Sequence, residues 1–260
     1  ACAASDRENT SKDSPAGSTE IYVVPADGGA PWKLSGALDR RSGSPVWSPD
    51  GKWIYFSAAD GGARHAYRVS PDGKMLVQIT RGPCQITSFS LSAQHLVCTL
   101  HDEAHPAEIH RFDLNGEKGD PLTDFNAAWC AEIRTVQADP FTFSTFDDLT
   151  VHGWVLKPAE FEEGQHYPAV LSIHGGPHGA YGHTFRPAHQ ALSGAGYGVV
   201  YLNPRGRAPA TARPLPTAAW ATGEAATTGT SCSASTPRSS ATPGSTRTTS
   251  ASPAAATAVL

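Results

Sequence analysis

The chain of 260 residues has one methionine, Met75, and no apolar run long enough to cross a membrane. It has no C-x-x-C pair. Cys2, Cys84, Cys98, Cys130 and Cys232 are odd in number and scattered, which fits no zinc ligand set and reads as buried or incidental thiols in a reducing compartment. No excess of basic residues is present: the formal net charge is −4, and nothing offers a nucleic-acid footprint. No G-x-S-x-G occurs in frame, and no signal peptide is visible. Because residue 1 is Ala, the expectation is that the start of the protein lies upstream, where a signal peptide could also lie; the location expected from the residues present is cytoplasmic.

The widest absence begins after Gly206. Residues 207–260 contain one acid, Glu224, and no Asp, Lys, His, Ile, Phe, Tyr, Asn or Gln, while Ala, Thr, Ser and Pro fill 41 of 54 positions. The tail's four Arg against one Glu leave the first 206 residues at −7. One reading is a low-complexity linker, disordered because it cannot bury enough apolar surface to offset chain entropy. A second reading starts from codons. Ala, Thr, Ser and Pro share C as second base, and a GC-rich gene read one base late places its third-base C there. With wobble bases chosen freely and a leading C allowed, residues 250–259 can be back-translated so that one base back they read Leu-Gly-Val-Thr-Gly-Gly-Ser-Tyr-Gly-Gly, a strand entering a G-x-S-x-G nucleophile elbow. Thr222-Gly223-Glu224-Ala225 conceals Asp-Trp-Gly-Gly in the same way. The expectation is therefore an out-of-frame tail over 207–260 in a truncated chain.

Residues 1–130 carry an internal repeat. Glu20-Ile21-Tyr22-Val23-Val24 leads to Asp27-Gly28, His65-Ala66-Tyr67-Arg68-Val69 to Asp72-Gly73, and Glu108-Ile109-His110-Arg111-Phe112 to Asn115-Gly116, at offsets of 45 and 43 residues. Each unit is an alternating strand, a tight turn and a second strand. The stretch from Trp47 to Phe56 aligns with that from Phe89 to Cys98, where the turn residues are lost. Short strands at a period near 43 predict about three blades of an incomplete β-propeller, an open arc rather than a closed ring.

Residues 131–206 follow another plan. Strands around 141–145 and 149–156 flank Asp147-Asp148 as a hairpin. The apolar run 168–173 reads as a buried strand and ends in His174-Gly175-Gly176-Pro177-His178-Gly179. Residues 187–196 predict a helix that buries Ala188, Ala191 and Leu192 and closes on glycine, and 197–202 a second buried strand. Strand, helix and strand with short links indicate a parallel α/β sheet.

These segments in this order, above all His174-Gly175-Gly176-Pro177 with Asn203-Pro204-Arg205-Gly206, resemble the start of the catalytic domain in the prolyl oligopeptidase family of serine peptidases, and within it the acylaminoacyl-peptidase and dipeptidyl-peptidase-like branch. Trp47-Ser48-Pro49-Asp50-Gly51-Lys52 also resembles blades of that family's propellers, and of a stand-alone periplasmic propeller. The resemblance covers residues 20–206. It implies a β-propeller followed by the N-terminal part of an α/β-hydrolase domain, short peptides as substrate, an acyl-enzyme intermediate and no cofactor.

The chemistry needs a serine, a histidine base, an orienting acid and donors for the oxyanion. One donor comes from the glycine-rich loop after an early strand, so Gly175 and Gly176 are the candidates, with His174, Pro177 and Arg205 supporting the loop. His174 precedes any elbow and so does not fit the Ser, Asp, His order as base. His178, His183 and His189 lack an acid or cysteine at ligand spacing, and no metal site is expected. Without nucleophile, acid and base, no catalytic residue is expected in this chain and no activity. A carboxylesterase-like hydrolase, or a non-enzymatic propeller binding module with a native linker tail, stay open as alternatives; no membrane or nucleic-acid partner is expected, and oligomeric state is unread.

Overall fold

A computed structural model describes residues 2–5, 19–34, 38, 41–114, 119–148, 150–175, 179–203 and 257–259. The expected turn at Asn115-Gly116 and most of the tail lie outside these residues.

The first part consists of antiparallel strands. β1 (Cys2–Ser5), β2 (Thr19–Val23) and β3 (Trp32–Lys33) form one sheet in sequence order. β4 (Ser42–Trp47), β5 (Ile54–Asp60), β6 (Ala63–Val69) and β7 (Leu76–Gln78) form a four-stranded meander. β8 (Gln85–Leu91), β9 (His95–His101), β10 (Glu108–Asp113) and β11 (Gly119–Pro121) form a second, joined to the first at a single parallel pairing of Arg64 with Gln85. The three repeats read from the sequence begin at β2, β6 and β10; β6 and β10 are the third strands of their four-stranded units, and β2 is the middle strand of its three-stranded sheet.

Local chemistry explains the turns. Ser48-Pro49-Asp50-Gly51-Lys52-Trp53 and Ser70-Pro71-Asp72-Gly73-Lys74-Met75 build one structure twice. The Ser48 and Ser70 hydroxyls donate to Asp50 and Asp72 at 2.6 and 2.5 Å, and accept from the N–H of Trp53 and Met75 at 2.9 and 3.0 Å. The N–H of Lys52 and Lys74 donates to the same carboxylates, and Gly51 and Gly73 take φ of +70° and +75°, which L side chains avoid. The donated hydrogen bonds, from the serine first, hold both Asp carboxyls below their ordinary range. Between β8 and β9, where Asp and Gly are missing, Ser92 alone builds the turn, accepting from the N–H of Gln94 and His95 and donating to the carbonyl of His95.

Strand alternation serves two cores at once. Ile54, Phe56 and Ala58 of β5 pack with Ile21, Val23, Leu34, Tyr67 and Val69 on one side. Tyr55 packs with Ala66, Ile79, Ile86, Leu96 and Cys98 on the other. The first meander is therefore buried on both faces, as a unit stacked between neighbours must be. Burial pushes the Cys84 thiol up to about 11 and that of Cys98 up to about 12, so both are protonated, unreactive side chains.

After α1 (Ala127–Glu132) a third sheet forms from β12 (Asp139–Ser144), β13 (Thr150–Leu156), β14 (Pro168–Ser172) and β15 (Gly198–Asn203), with α2 (Pro187–Gly194) linking the last two. Its order is β12-β13-β15-β14, then β16 (Thr257–Val259). The hairpin β12–β13 turns at Asp148, φ +60°, and β14 runs parallel to β15, the strand-helix-strand unit expected. Trp154, Leu156, Val199, Tyr201, Tyr181 and Ala138 form its core.

Two expectations are corrected. α2 begins at Pro187 and is closed by Gly196 at φ +87°, but Ala188 and Ala191 are exposed and Leu192 half-buried; the buried residues are Gln190 and Ser193. Polar groups face inward because the helix meets backbone carbonyls: Ser193 Oγ donates to the Lys157 carbonyl at 2.7 Å. The tail, expected to be disordered, contributes one strand. β16 pairs antiparallel with β14 along residues 168–170, where a sheet edge is open to any extended segment.

Candidate functional site

β14 ends at Ser172, and its carboxyl end opens into the glycine loop beginning at 174. In an open α/β sheet with parallel strands this end is where ligands are met. Gly175 is exposed, has no positive φ, and a side chain added there would meet nothing within 4 Å. Among the described residues, neither strain nor packing requires glycine at 175. Four residues on, a Cβ on Gly179 would lie 2.8 Å from the Gly175 carbonyl and 3.1 Å from His174 Nδ1, so the loop doubles back on itself. His174 is half-buried, its ring edge-on to Tyr181 at 5.2 Å. Gly176, Pro177 and Arg205 lie outside the described residues.

The chain that follows the loop is held at Tyr181 by Asn203, the last residue of β15. Its side chain is 2% exposed and grips the backbone of Tyr181 from both sides: the Tyr181 N–H donates to Oδ1 at 2.6 Å and Nδ2 donates to the Tyr181 carbonyl at 2.9 Å. An amide alone has donor and acceptor side by side for this. The Tyr181 ring then enters the core. Its hydroxyl is 2.9 Å from Ser172 Oγ, which lies 3.0 Å from His189 Nε2 on α2. The Arg186 guanidinium covers the other face of the ring at 4.6 Å. Burial, with Arg186 nearby, holds His189 down at about 4, so its imidazole is neutral around pH 7. Burial also raises the Tyr201 phenol, beside which His189 packs.

Ser172 and His189 are within hydrogen-bonding distance, yet no carboxylate orients the His189 ring among its described contacts, and Ser172 is held by Tyr181. The pair braces the core. His183 has the acid that sequence spacing did not reveal: its Nδ1 lies 2.5 Å from Glu103 Oε1, across 80 residues of chain. Among the described residues no group of three or more His, Cys, Asp or Glu is placed to hold a metal ion, and no helix is long and apolar enough to cross a membrane. Asn203, Tyr181, Ser172 and Glu103 were not singled out by sequence reading. Asn203 alone left a signal, as the first residue of the Asn203-Pro204-Arg205-Gly206 motif.

No family model matches the chain. An uncharacterized peptidase, YuxL, of Bacillus subtilis (strain 168) is 35% identical over 175 residues, covering 66% of this chain and 26% of that protein. Dipeptidyl-peptidase 5 of Porphyromonas endodontalis is 26% identical over 155 residues, covering 59% of this chain and 22% of that protein. Among solved structures, the uncomplexed acylaminoacyl peptidase of Pyrococcus horikoshii superimposes with a TM-score of 0.62 at 27% identity, over 73% of this chain and 28% of that one. The chain thus spans about a quarter of the length of the relatives it matches. Strand repeats, an α/β sheet with a glycine loop at the end of β14, and these likenesses point one way: the chain is similar to serine peptidases of the prolyl oligopeptidase family.

Proposed function

We propose that this chain is the junction of a peptidase for short peptides, in which three propeller blades meet the first strands of the hydrolase domain at 131–206. In this reading the loop after β14 supplies one oxyanion donor from the N–H of Gly175 or Gly176, and Pro177 and Arg205 brace it. The observation that carries the reading is Asn203. A buried amide locked to the backbone of Tyr181 holds the chain where it leaves the loop, and electrostatic stabilisation of a transition state needs donors anchored before charge develops. The open space beside Gly175 leaves room for a substrate carbonyl.

The same reading holds that the chain as written does not turn over substrate. The nucleophile elbow lies in the other reading frame beyond Gly206, and the acid and base lie further on. In this reading the hidden Leu-Gly-Val would be the strand that takes the edge of β14 now paired with β16. Sequencing the coding DNA across Gly206 tests it: the expected result is an alternative frame open through Gly-Gly-Ser-Tyr-Gly-Gly, and stop codons there would overturn the reading. A native tail is the second reading, favoured by the pairing of β16 with β14.

A further inference from the structure

The propeller and the α/β segment are joined by side chains that neither the repeat nor the glycine loop accounts for. The turn after β9 carries Glu103, 2% exposed. Its Oε1 meets His183 at 2.5 Å, its Oε2 accepts from Gln137 Nε2, and its backbone carbonyl accepts from Gln190 Nε2 at 2.8 Å. Gln190 in turn bonds both backbone groups of Val136, at 2.9 and 2.8 Å. Two residues before Glu103, at the end of β9, His101 Nδ1 accepts the N–H of Phe185 at 3.4 Å. That bond requires an unprotonated ring nitrogen.

We propose that residues 101–103 form an acid-releasable latch between the propeller and the α/β segment, with His101 as its sensor. Taking up a proton at Nδ1 turns the acceptor into a donor facing the Phe185 N–H, and places a positive charge in a half-buried seam. The charged and titratable groups around the seam decide the direction. Asp102 and Glu103, from the same turn, favour the protonated ring; Asp102 is itself engaged by His105 at 2.9 Å. From the α/β segment come His183 and Arg186, and from β6 comes His65, whose own value is lowered by burial, against Asp60. For His101, burial is the largest influence and holds it below its ordinary 6.5. A histidine so depressed leaves the seam intact at neutral pH and weakens it as pH falls through the unfolded value and on towards the folded one. The inference concerns the seam alone and does not depend on the frame of the tail.

Hydrogen–deuterium exchange of the full chain tests it, near neutral pH and at about pH 5, with rates corrected for intrinsic chemistry. In the unaltered chain, amides over 179–190 are expected to exchange about tenfold faster in acid, while those of β5 and β6 stay protected. His101→Asn keeps an acceptor at the Nδ1 position but takes no proton there, and is expected to reduce that acid response. His101→Leu is expected to exchange fast over 179–190 at both pH values. An unaltered chain with equal protection at both pH values overturns the proposal. So does an acid response in His101→Asn as large as in the unaltered chain, or a chain with no protected amides in β5 and β6 at neutral pH.

Discussion

At the scale of single residues, the backbone at Tyr181, beyond the proposed oxyanion loop, depends on two hydrogen bonds. Asn203 satisfies a buried N–H and a buried carbonyl of Tyr181, and no other side chain does both. Asn203→Ala leaves both groups unpaired, and is expected to cost about 2–4 kcal/mol in urea denaturation. Asn203→Asp keeps one acceptor but turns a buried carboxylate oxygen towards the Tyr181 carbonyl, so it is expected to cost at least as much as Asn203→Ala. His189 gives a pH dependence. Its folded value of about 4 lies below the ordinary 6.5, so its contribution is intact at neutral pH and is lost as pH falls from about 6.5 towards 4. The denaturation midpoint should drop over that window, and His189→Gln should flatten the drop.

At the scale of elements, the hexapeptide turn beginning Ser-Pro-Asp-Gly-Lys is an autonomous unit. Its two copies, 22 residues apart, share the same hydrogen bonds and the same positive φ at glycine, although Trp53 follows one and Met75 the other. Gly73→Ala is expected to destabilise by about 1 kcal/mol, from the strained φ alone, because the added Cβ would meet Leu34 only at ordinary contact distance. A larger loss on thermal or denaturant unfolding would mean that the turn is also packed against β3 and its neighbours. The repeat at 43 residues was legible because strand alternation and Asp-Gly turns are local. The helix face of α2 was not legible: which side of α2 is buried depends on the carbonyls of Lys157, Val136 and Glu103, all distant in sequence.

At the scale of the whole molecule, the sheet of β4–β11 and the sheet of β12–β16 touch through glycine. A Cβ on Gly62, in the turn between β5 and β6, would lie 2.5 Å from the Trp154 ring, and a Cβ on Gly182 would lie 2.1 Å from the Gly62 carbonyl. The Gly62 carbonyl also accepts from the His183 N–H at 2.9 Å and from Gln85 Nε2 at 2.8 Å. Gly182→Ala should force the seam apart and cost about 1–3 kcal/mol, read as a shift in the urea midpoint, with exchange rising over 179–190. Function is tested at this scale as well. A fluorophosphonate probe that labels activated serines should not label the purified chain. Labelling would place a nucleophile in the sequence as written and overturn the proposed out-of-frame tail.

The sequence by itself determined the strand repeat, its turns, the strand-helix-strand unit and the glycine loop, because each follows from alternation, apolar runs or the preferences of Gly, Pro, Asp and Ser within a few residues. Only the tertiary structure decided that Asn203 holds Tyr181 across 22 residues, that Glu103 meets His183 across 80, and that the tail lays Thr257–Val259 along β14. Those partners are set by how the sheets pack and which edges stay open, and no local pattern in the chain encodes either.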